Sequence, residues 1–421
     1  MRANFISARS LLFLALSFFL WPLAARRMLG QEQEETTRGT LDEPADAAQI
    51  RAQITLAEKL LDKTPDRGAV LYFLAVAHAQ LREPLDALAS LKECIQLKEG
   101  FDPAGEPAFA GLKGDSDFDK LVEQAHRDFP AVSQAHSAFV TTEKDLIPEG
   151  LAYDPDVDAL YLSSLNRRKI TKIPRQGKIT DLVPSERYNL LPVLGIRMDP
   201  LDGTIWSASS TETGKSELLH FEKSGTLVAR FSLVKDEKHE FHDLVVSRKR
   251  EVLLTDTLAN LLFRFDMKTH EFKSIALSRD LLLPNGVALT DDGEALFVAD
   301  QLGVLRLDLK TGESTEVEPG AHCTLAGADG LYWHKGRLVA VQNGIGSPRI
   351  ALFQMTKDGR RVSKTTVLEY RSNFTVLPTT GALNGDDFYF IANSQLDNLN
   401  GEHILDATKL EPVRIGVLRL P

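Results

Sequence analysis

The sequence predicts a mainly β protein, a six-bladed β-propeller preceded by a small α-helical domain. A short signature recurs six times from residue 149 onward, at steps of 43 to 51 residues, and each copy contains apolar runs that alternate with period 2. Before residue 135 the apolar spacing is helical instead. Repeats of about 40 to 50 residues built from short strands and turns are typical of propeller blades. Closing six blades into a ring buries sheet faces and protects edge strands that single blades would expose.

Each copy begins at an aligned residue that we call the ring position, because the innermost strands of a propeller start around one mouth of its central channel. The ring positions are Glu149, Leu194, His242, Asn285, Asp329 and Thr380. Glycine follows in five copies, and we expect it to let the backbone bend without a Cβ clash. The second apolar runs begin at Leu160, Ile205, Leu253, Leu296, Leu338 and Phe388. Turn pairs such as Asp202-Gly203 suit the hairpins between the two runs.

Closure of the ring needs a strand from outside the six copies. Residues 138–142 alternate like a strand and precede the first blade. We expect them to pair with residues 414–420 as the outer strand of the last blade, since otherwise the first and last blades would meet only through side chains.

The N-terminal residues 1–30 predict an export signal or an N-terminal anchor. Arg2 and Arg9 flank an apolar stretch, residues 11–25, that is shorter than the roughly 20 residues of a membrane span. We therefore expect an exported protein, periplasmic or extracellular, which touches a membrane only if this segment stays uncleaved. Residues 31–47 are polar and acidic and predict a flexible linker.

The composition excludes some classes of function. The chain has 421 residues, 43% of them hydrophobic, and a net charge of −10 without a clustered basic stripe. This balance argues against a nucleic-acid-binding surface. The two cysteines, Cys94 and Cys323, fall in different predicted domains, so they predict buried thiols and no disulfide framework.

Residues 48–135 predict a helical domain. Helices are expected from residue 48 to a stop at Pro65-Asp66, over 69–80 and over 85–98, with short ones near Phe109 and Phe118. The second and third helices resemble the tetratricopeptide helix pair, although the large aromatic residue and the glycine of that consensus are absent. The residues that match its spacing are Leu71, Leu74, Ala75, His78, Ala87, Leu91 and Cys94. This segment is either a cap packed on the propeller or a surface for a protein partner.

Four ring positions carry side chains that can bind a metal: Glu149, His242, Asn285 and Asp329. Carboxylate and amide oxygens are the ligands of a hard cation, so Ca²⁺ is the expected ion, whereas the His242 imidazole also suits Zn²⁺ or Mn²⁺. Polar residues also cap strand ends without any ligand. Two acids that face one channel favour the divalent cation, because like charges held close together repel.

Residues 140–421 resemble the senescence-marker-protein/gluconolactonase/luciferin-regenerating-enzyme family, the regucalcin type, and more remotely the paraoxonases and strictosidine-synthase-like proteins. The motifs that carry the resemblance are Pro148-Glu149-Gly150, Pro284-Asn285-Gly286 and Ala328-Asp329-Gly330. It implies that Glu149, Asn285 and Asp329 are metal ligands and that Asp329 acts as acid or base.

The third blade departs from this family. Asn-Asp is typical there, but this chain has His242-Asp243. Glu240 stands where family members often carry a substrate-facing arginine, so a sugar-acid lactone is not the expected substrate.

These residues predict a metal-dependent hydrolase of a lactone or related ester, with a small-molecule substrate and with Asp329 and His242 as catalytic residues. His242 is either a ligand or the general base. The alternative is a non-catalytic exported propeller that binds a protein or small-molecule partner; a quinone-type dehydrogenase lacks a cofactor motif. Five polar residues that end neighbouring strands are expected mainly as strand caps, with a supporting layer around the metal as the other interpretation: Asp243, Asp256, Asp300, Asn343 and Asn393.

Overall fold

The computed structural model describes residues 47–233, 238–401 and 403–421. The predicted signal or anchor, residues 1–30, and all but the last residue of the predicted linker lie outside the described residues. Within the described residues, no helix combines the length and the apolar character needed to cross a membrane.

Four α-helices come first in the described chain. They are α1 (Ala47–Leu60), α2 (Arg67–Gln80), α3 (Pro84–Leu97) and α4 (Ser116–Asp128), with 3₁₀ turns at Pro103–Gly105 and Pro107–Leu112. Pro84 opens α3, where its missing N–H is not needed. The Asp115 side chain caps α4 by accepting hydrogen bonds from two backbone N–H groups. That these helices form a tetratricopeptide-like domain stays a prediction.

The rest of the described chain is the predicted six-bladed propeller, which the structure confirms. Two short strands, β1 (Val132–Ser133) and β2 (His136–Val140), precede the first blade. Blade one comprises β3 (Leu151–Asp154), β4 (Ala159–Ser164), β5 (Lys169–Pro174) and β6 (Thr180–Val183); blade two comprises β7 (Val193–Met198), β8 (Ile205–Ser210), β9 (Ser216–Phe221) and β10 (Leu227–Phe231). Blade three comprises β11 (Phe241–Ser247), β12 (Glu251–Asp256), β13 (Leu261–Asp266) and β14 (Glu271–Ser274); blade four comprises β15 (Val287–Leu289), β16 (Ala295–Asp300), β17 (Gly303–Asp308) and β18 (Ser314–Glu316).

Blades five and six each borrow a strand from the segment that follows the helices. Blade five comprises β19 (Ala328–His334), β20 (Arg337–Gln342), β21 (Arg349–Met355) and β22 (Val362–Tyr370), and β1 pairs with β22 as a fifth strand. Blade six comprises β23 (Gly381–Asn384), β24 (Asp387–Ile391) and β27 (Arg414–Arg419), and β2 pairs with β27 as its outer strand. Between β24 and β27 lies a small hairpin of β25 (Leu399–Asn400) and β26 (His403–Ile404). The predicted closing strand is therefore confirmed, slightly shifted.

The glycine after each ring position has a different cause from the one expected. None of Gly150, Gly195 and Gly286 has a positive φ, so no unusual backbone bend requires glycine there. A Cβ added to any of them would instead collide with a backbone carbonyl of the next blade. The distances would be 2.2 Å from Gly150 to Leu194 O, 2.5 Å from Gly195 to His242 O and 2.7 Å from Gly286 to Asp329 O. Gly150, Gly195 and Gly286 thus make room for the ring carbonyl of the following blade.

Hydroxyl groups of the second strands satisfy several of these ring carbonyls. Ser163 Oγ donates to Leu194 O at 2.7 Å, and Thr255 Oγ1 donates to Asn285 O at 2.8 Å. Thr380 Oγ1 donates to Glu149 O at 2.5 Å, which joins blade six to blade one. Because these carbonyls are buried, the bonds fix each ring residue relative to its neighbour.

The helical segment packs against loops of blade five. Asp66, which precedes α2, accepts hydrogen bonds from Leu325 N at 2.7 Å and Thr324 Oγ1 at 2.8 Å. Ile345 O accepts a hydrogen bond from Asp102 N at 3.1 Å. Ile345 also belongs to the same hydrophobic cluster as α2 and α3. These contacts agree with the cap interpretation, and the protein-partner interpretation stays a prediction.

We predict that Gly150→Ala lowers the free energy of unfolding by about 1–3 kcal/mol, because the new methyl group overpacks the contact between blades one and two. Gly111→Ala is the matched control, since a Cβ at Gly111 meets no atom within 4 Å. Chemical denaturation of both variants measures the effect, and equal stabilities would contradict it.

We predict that Phe139→Ala weakens ring closure. The half-buried Phe139 ring on β2 lies 6.4 Å from the Tyr389 ring, measured between centroids. Its removal should lower the free energy of unfolding by about 2 kcal/mol, less than for a fully buried phenylalanine. His136→Ala on the exposed end of β2 is the control. A Phe139→Ala protein as stable as this control would argue against a stabilising role of β2.

We predict that Asp66 makes the stability depend on pH. Burial raises the pKa of its carboxyl from 3.8 to about 6 in the folded protein. The folded state therefore binds more protons than the unfolded state between pH 4 and 6, and the free energy of unfolding falls as the pH rises through that range. Relative to Asp66→Asn, the free energy of unfolding of the wild-type protein should fall by up to about 3 kcal/mol as the pH rises through this range. Denaturation at pH 4.5 and 7 tests this, with the exposed Asp62→Asn as control; a parallel pH dependence of wild type and Asp66→Asn would refute it.

Candidate functional site at the channel mouth

Local irregularities of the innermost strands direct the ring side chains towards the mouth. Glu149 and Asn285 lie just before β3 and β15, where the ladder has not yet begun. His242 and Asp329 lie at register shifts in β11 and β19, between Phe241 and Leu244 and between Ala328 and Gly330. Such bulges turn a side chain out of the regular alternation and are frequent beside functional sites.

The structure brings the four predicted site residues together. Ligand atoms of Glu149, His242 and Asp329 all lie within 4.8 Å of one another. His242 Nε2 is 3.9 Å from Glu149 Oε1. Asn285 lines the same cavity, and its amide lies close enough to Asp329 to lower the pKa of that carboxyl group. Of the other two ring positions, Leu194 packs in the hydrophobic core and Thr380 bonds the Glu149 carbonyl.

Three oxygens in this cluster are buried and have no hydrogen-bond partner among the described residues. They are Glu149 Oε2, Asn285 Oδ1 and Asp329 Oδ1. An unsatisfied buried acceptor costs about 1–3 kcal/mol, and more when it is charged. Three of them at one place are what a bound cation, or protons held by the carboxyl groups, would satisfy.

Burial shapes the protonation of the cluster. Desolvation, reinforced by the nearby Asp329 and Asp243 charges, raises the pKa of Glu149 well above its ordinary value. Desolvation likewise raises the pKa of Asp329 to about 7 and lowers the pKa of His242 to about 4. The imidazole is therefore neutral at pH 7, with a lone pair available for a metal or a proton.

Asn343 holds one of the ring carboxylates in place. Its Nδ2 donates to Asp329 Oδ2 at 2.6 Å and to Pro378 O at 3.0 Å. The bond occupies Oδ2 and leaves Oδ1 as the unpartnered oxygen. Asn343 was expected mainly as a strand cap, and the structure instead places it directly against a ring residue.

A buried ion pair lies beside the ring residues. Arg197 donates to Asp243 Oδ2 at 2.9 Å, and its guanidinium lies 5.1 Å from the centre of the Tyr332 ring. Asp243 is therefore committed to Arg197 and acts on the cluster only through its charge. The remaining three candidates for a supporting layer bond neighbouring strands and loops, as strand caps do: Asp256, Asp300 and Asn393.

The helices close the space above the ring residues. A cavity of about 440 Å³ lies between the propeller mouth and the helices α1 and α2. We call these two helices the helical roof. The four predicted site residues line the propeller side of the cavity. The roof residues, Gln53 among them, were not predicted as part of the site. One signal was available: Gln53 is one turn from Ile50 and Ala57, so a polar residue interrupts the apolar face of α1.

No protein-family model matches the chain, and no curated protein matches it either. Among solved structures it is similar to a virginiamycin B lyase from Staphylococcus aureus, at 18% identity over 68% of this chain and 99% of that chain, with a TM-score of 0.48. A gluconolactonase from Xanthomonas campestris is 15% identical over 69% of this chain and 97% of its own, with a TM-score of 0.47. An aldose sugar dehydrogenase from Streptomyces coelicolor, in its PQQ-bound form, is 14% identical over 68% of this chain and 98% of its own, with a TM-score of 0.48. Identities this low leave the function to be argued from the side chains at the mouth.

Proposed function

We propose that the protein is a metal-dependent hydrolase that opens a lactone or cleaves a related ester at the channel mouth. The observation that carries the proposal is the convergence of three unpartnered buried oxygens and a neutral imidazole at the base of a cavity. The oxygens of Glu149, Asn285 and Asp329 would hold the cation. Their chemistry suits Ca²⁺ first, and His242 extends the choice to Zn²⁺ or Mn²⁺.

The cluster fits a divalent cation better than it fits a purely structural role. Strand caps normally receive hydrogen bonds from backbone N–H groups, as Asp300 does from Leu282 N and Leu302 N. Glu149 Oε2 and Asp329 Oδ1 receive none among the described residues. Burial raises the pKa values of two carboxyl groups here, so their ionisation destabilises the folded protein. A nearby cation removes that penalty.

When bound, the cation supplies Lewis-acid polarisation of the carbonyl group and lowers the pKa of a water molecule beside it. Asp329, fixed through Oδ2 by Asn343, or the neutral His242 takes a proton from the attacking water. The water oxygen adds to the carbonyl carbon and the acyl C–O bond breaks. The same proton then passes to the departing oxygen, so that a carboxylic acid and a hydroxyl group are formed.

We predict that Glu149→Gln and Asp329→Asn strongly weaken cation binding and hydrolysis. Removal of a direct ligand should lower the affinity for the cation by more than the 10–100-fold that is lost when a residue hydrogen-bonded to a ligand is removed. Hydrolysis should fall on the order of 10³-fold, because polarisation by the cation is worth several kcal/mol. Mass spectrometry of the bound metal, the thermal shift caused by Ca²⁺, Mn²⁺ or Zn²⁺, and hydrolysis of a lactone panel measure these effects.

Asp280→Asn is the matched control, because Asp280 is an exposed acid in the loop before β15. It should bind the cation and hydrolyse lactones like the wild-type protein. Wild-type hydrolysis in both Glu149→Gln and Asp329→Asn would rule out the proposed function.

A further inference from the structure

The helical roof gives the cavity a continuous apolar wall opposite the ring residues. The helix residues of this wall are Ala57, Leu60, Val70, Phe73 and Val76. Leu302 of blade four packs in the same hydrophobic cluster as α1 and α2, so the apolar surface continues onto the propeller. Leu377 and the 57%-exposed Val376 extend it to the edge where the cavity meets solvent. A pocket of this kind gains most from burying an apolar ligand.

The charged side chains among the described residues that line the cavity are all acidic. None of the described residues that line it is a lysine or an arginine, whereas Glu106 joins Glu149 and Asp329 as acidic lining residues. A carboxylate or phosphate on the substrate would thus find no cationic side chain beside it. A polyhydroxylated sugar would need many hydrogen-bond partners. Among the described residues, the roof helices line the cavity with two polar side chains, Gln53 and Tyr72, and the Tyr72 hydroxyl already donates to Asp102 O.

Gln53 is the polar exception in α1. Its side chain is 4% exposed, lines the cavity, and has no hydrogen-bond partner for Nε2 among the described residues. A buried amide N–H without an acceptor is unfavourable, so its place in the cavity wall indicates an acceptor on a ligand.

Resting on the proposed function, we propose that the helical roof determines the substrate class: an uncharged lactone or ester with an apolar chain, whose oxygen accepts a hydrogen bond from Gln53 Nε2. The ring residues hold the reacting group, and the apolar chain lies against α1 and α2. Gln53 is a specificity-determining residue that contributes binding and orientation.

Two ligands test this with the full-length protein dialysed against Ca²⁺. The first is δ-decanolactone, compared with glucono-1,5-lactone in a hydrolysis assay. The second is 2-heptylcyclopentanone, whose ring ketone resembles a lactone carbonyl but has no acyl C–O bond to hydrolyse, measured by titration calorimetry. We expect kcat/KM for δ-decanolactone to exceed that for the sugar lactone at least tenfold. Equal or better hydrolysis of the sugar lactone would overturn the inference.

Gln53→Leu should raise the Kd of the ketone about five- to tenfold, the loss of one hydrogen bond, and should leave Ca²⁺ affinity unchanged. Because leucine has a similar size and removes an unpartnered amide, the ligand-free variant should be at least as stable as wild type. Ala57→Leu narrows the apolar part of the cavity and should raise the Kd of the ketone by a similar factor. Gln96→Leu, on the exposed side of α3, is the control and should bind like wild type. Unchanged ketone binding in both Gln53→Leu and Ala57→Leu would overturn the inference.

The ketone separates the two proposals. If it binds in a Gln53-dependent way while no lactone is hydrolysed, the substrate pocket stands and the hydrolase fails. If lactones are hydrolysed with Glu149 and Asp329 dependence but neither roof variant has an effect, the hydrolase stands and the role of the roof fails.

Discussion

The approach of three ring carbonyls, those of Leu194, His242 and Asp329, to the glycine of the preceding blade is the contact on which the site depends. It sets the spacing between adjacent innermost strands, and the Ser163 hydroxyl satisfies the Leu194 carbonyl that it buries. The side chains of His242 and Asp329 then line the cavity at the mouth, whereas that of Leu194 packs in the hydrophobic core. A repeated backbone contact therefore produces a cluster of acids that no single blade would tolerate.

The acids of that cluster differ in the partners that compensate their charges. Asp243 is paired with Arg197 inside the channel. Asp329 has one oxygen fixed by Asn343, whereas Glu149 faces the His242 imidazole at 3.9 Å and the Asp329 carboxylate within 4.8 Å. Paired carboxylates serve the architecture, whereas unpaired ones are available to a ligand. The difference within one channel separates structural from functional acids more clearly than burial does, because all of them are buried.

Much of the propeller followed from the repeat, because the innermost strand contributes the same position in every blade. Alignment alone placed Glu149, His242, Asn285 and Asp329 at one mouth. Asn343 and Gln53 could not be placed in this way. Asn343 ends the second run of its copy and was expected mainly as a strand cap, because the alignment gives no distance from that strand end to Asp329. Gln53 meets the site across more than 90 residues of chain. Contacts of that kind depend on how the helices dock, which no local period encodes.

The short segment between α4 and blade one belongs to two blades at once. Its strand β1 extends blade five and its strand β2 completes blade six, and it follows directly on α4, the last of the four helices. The segment that follows the helices is thus part of the propeller sheets, so the helices and the propeller are not separate modules that can be exchanged. A gene fragment that began after Val140 would encode six blades with β27 as a bare edge, a surface that invites pairing with other chains. Recombination in evolution can therefore transfer this cover to another propeller only together with the strands that close the ring.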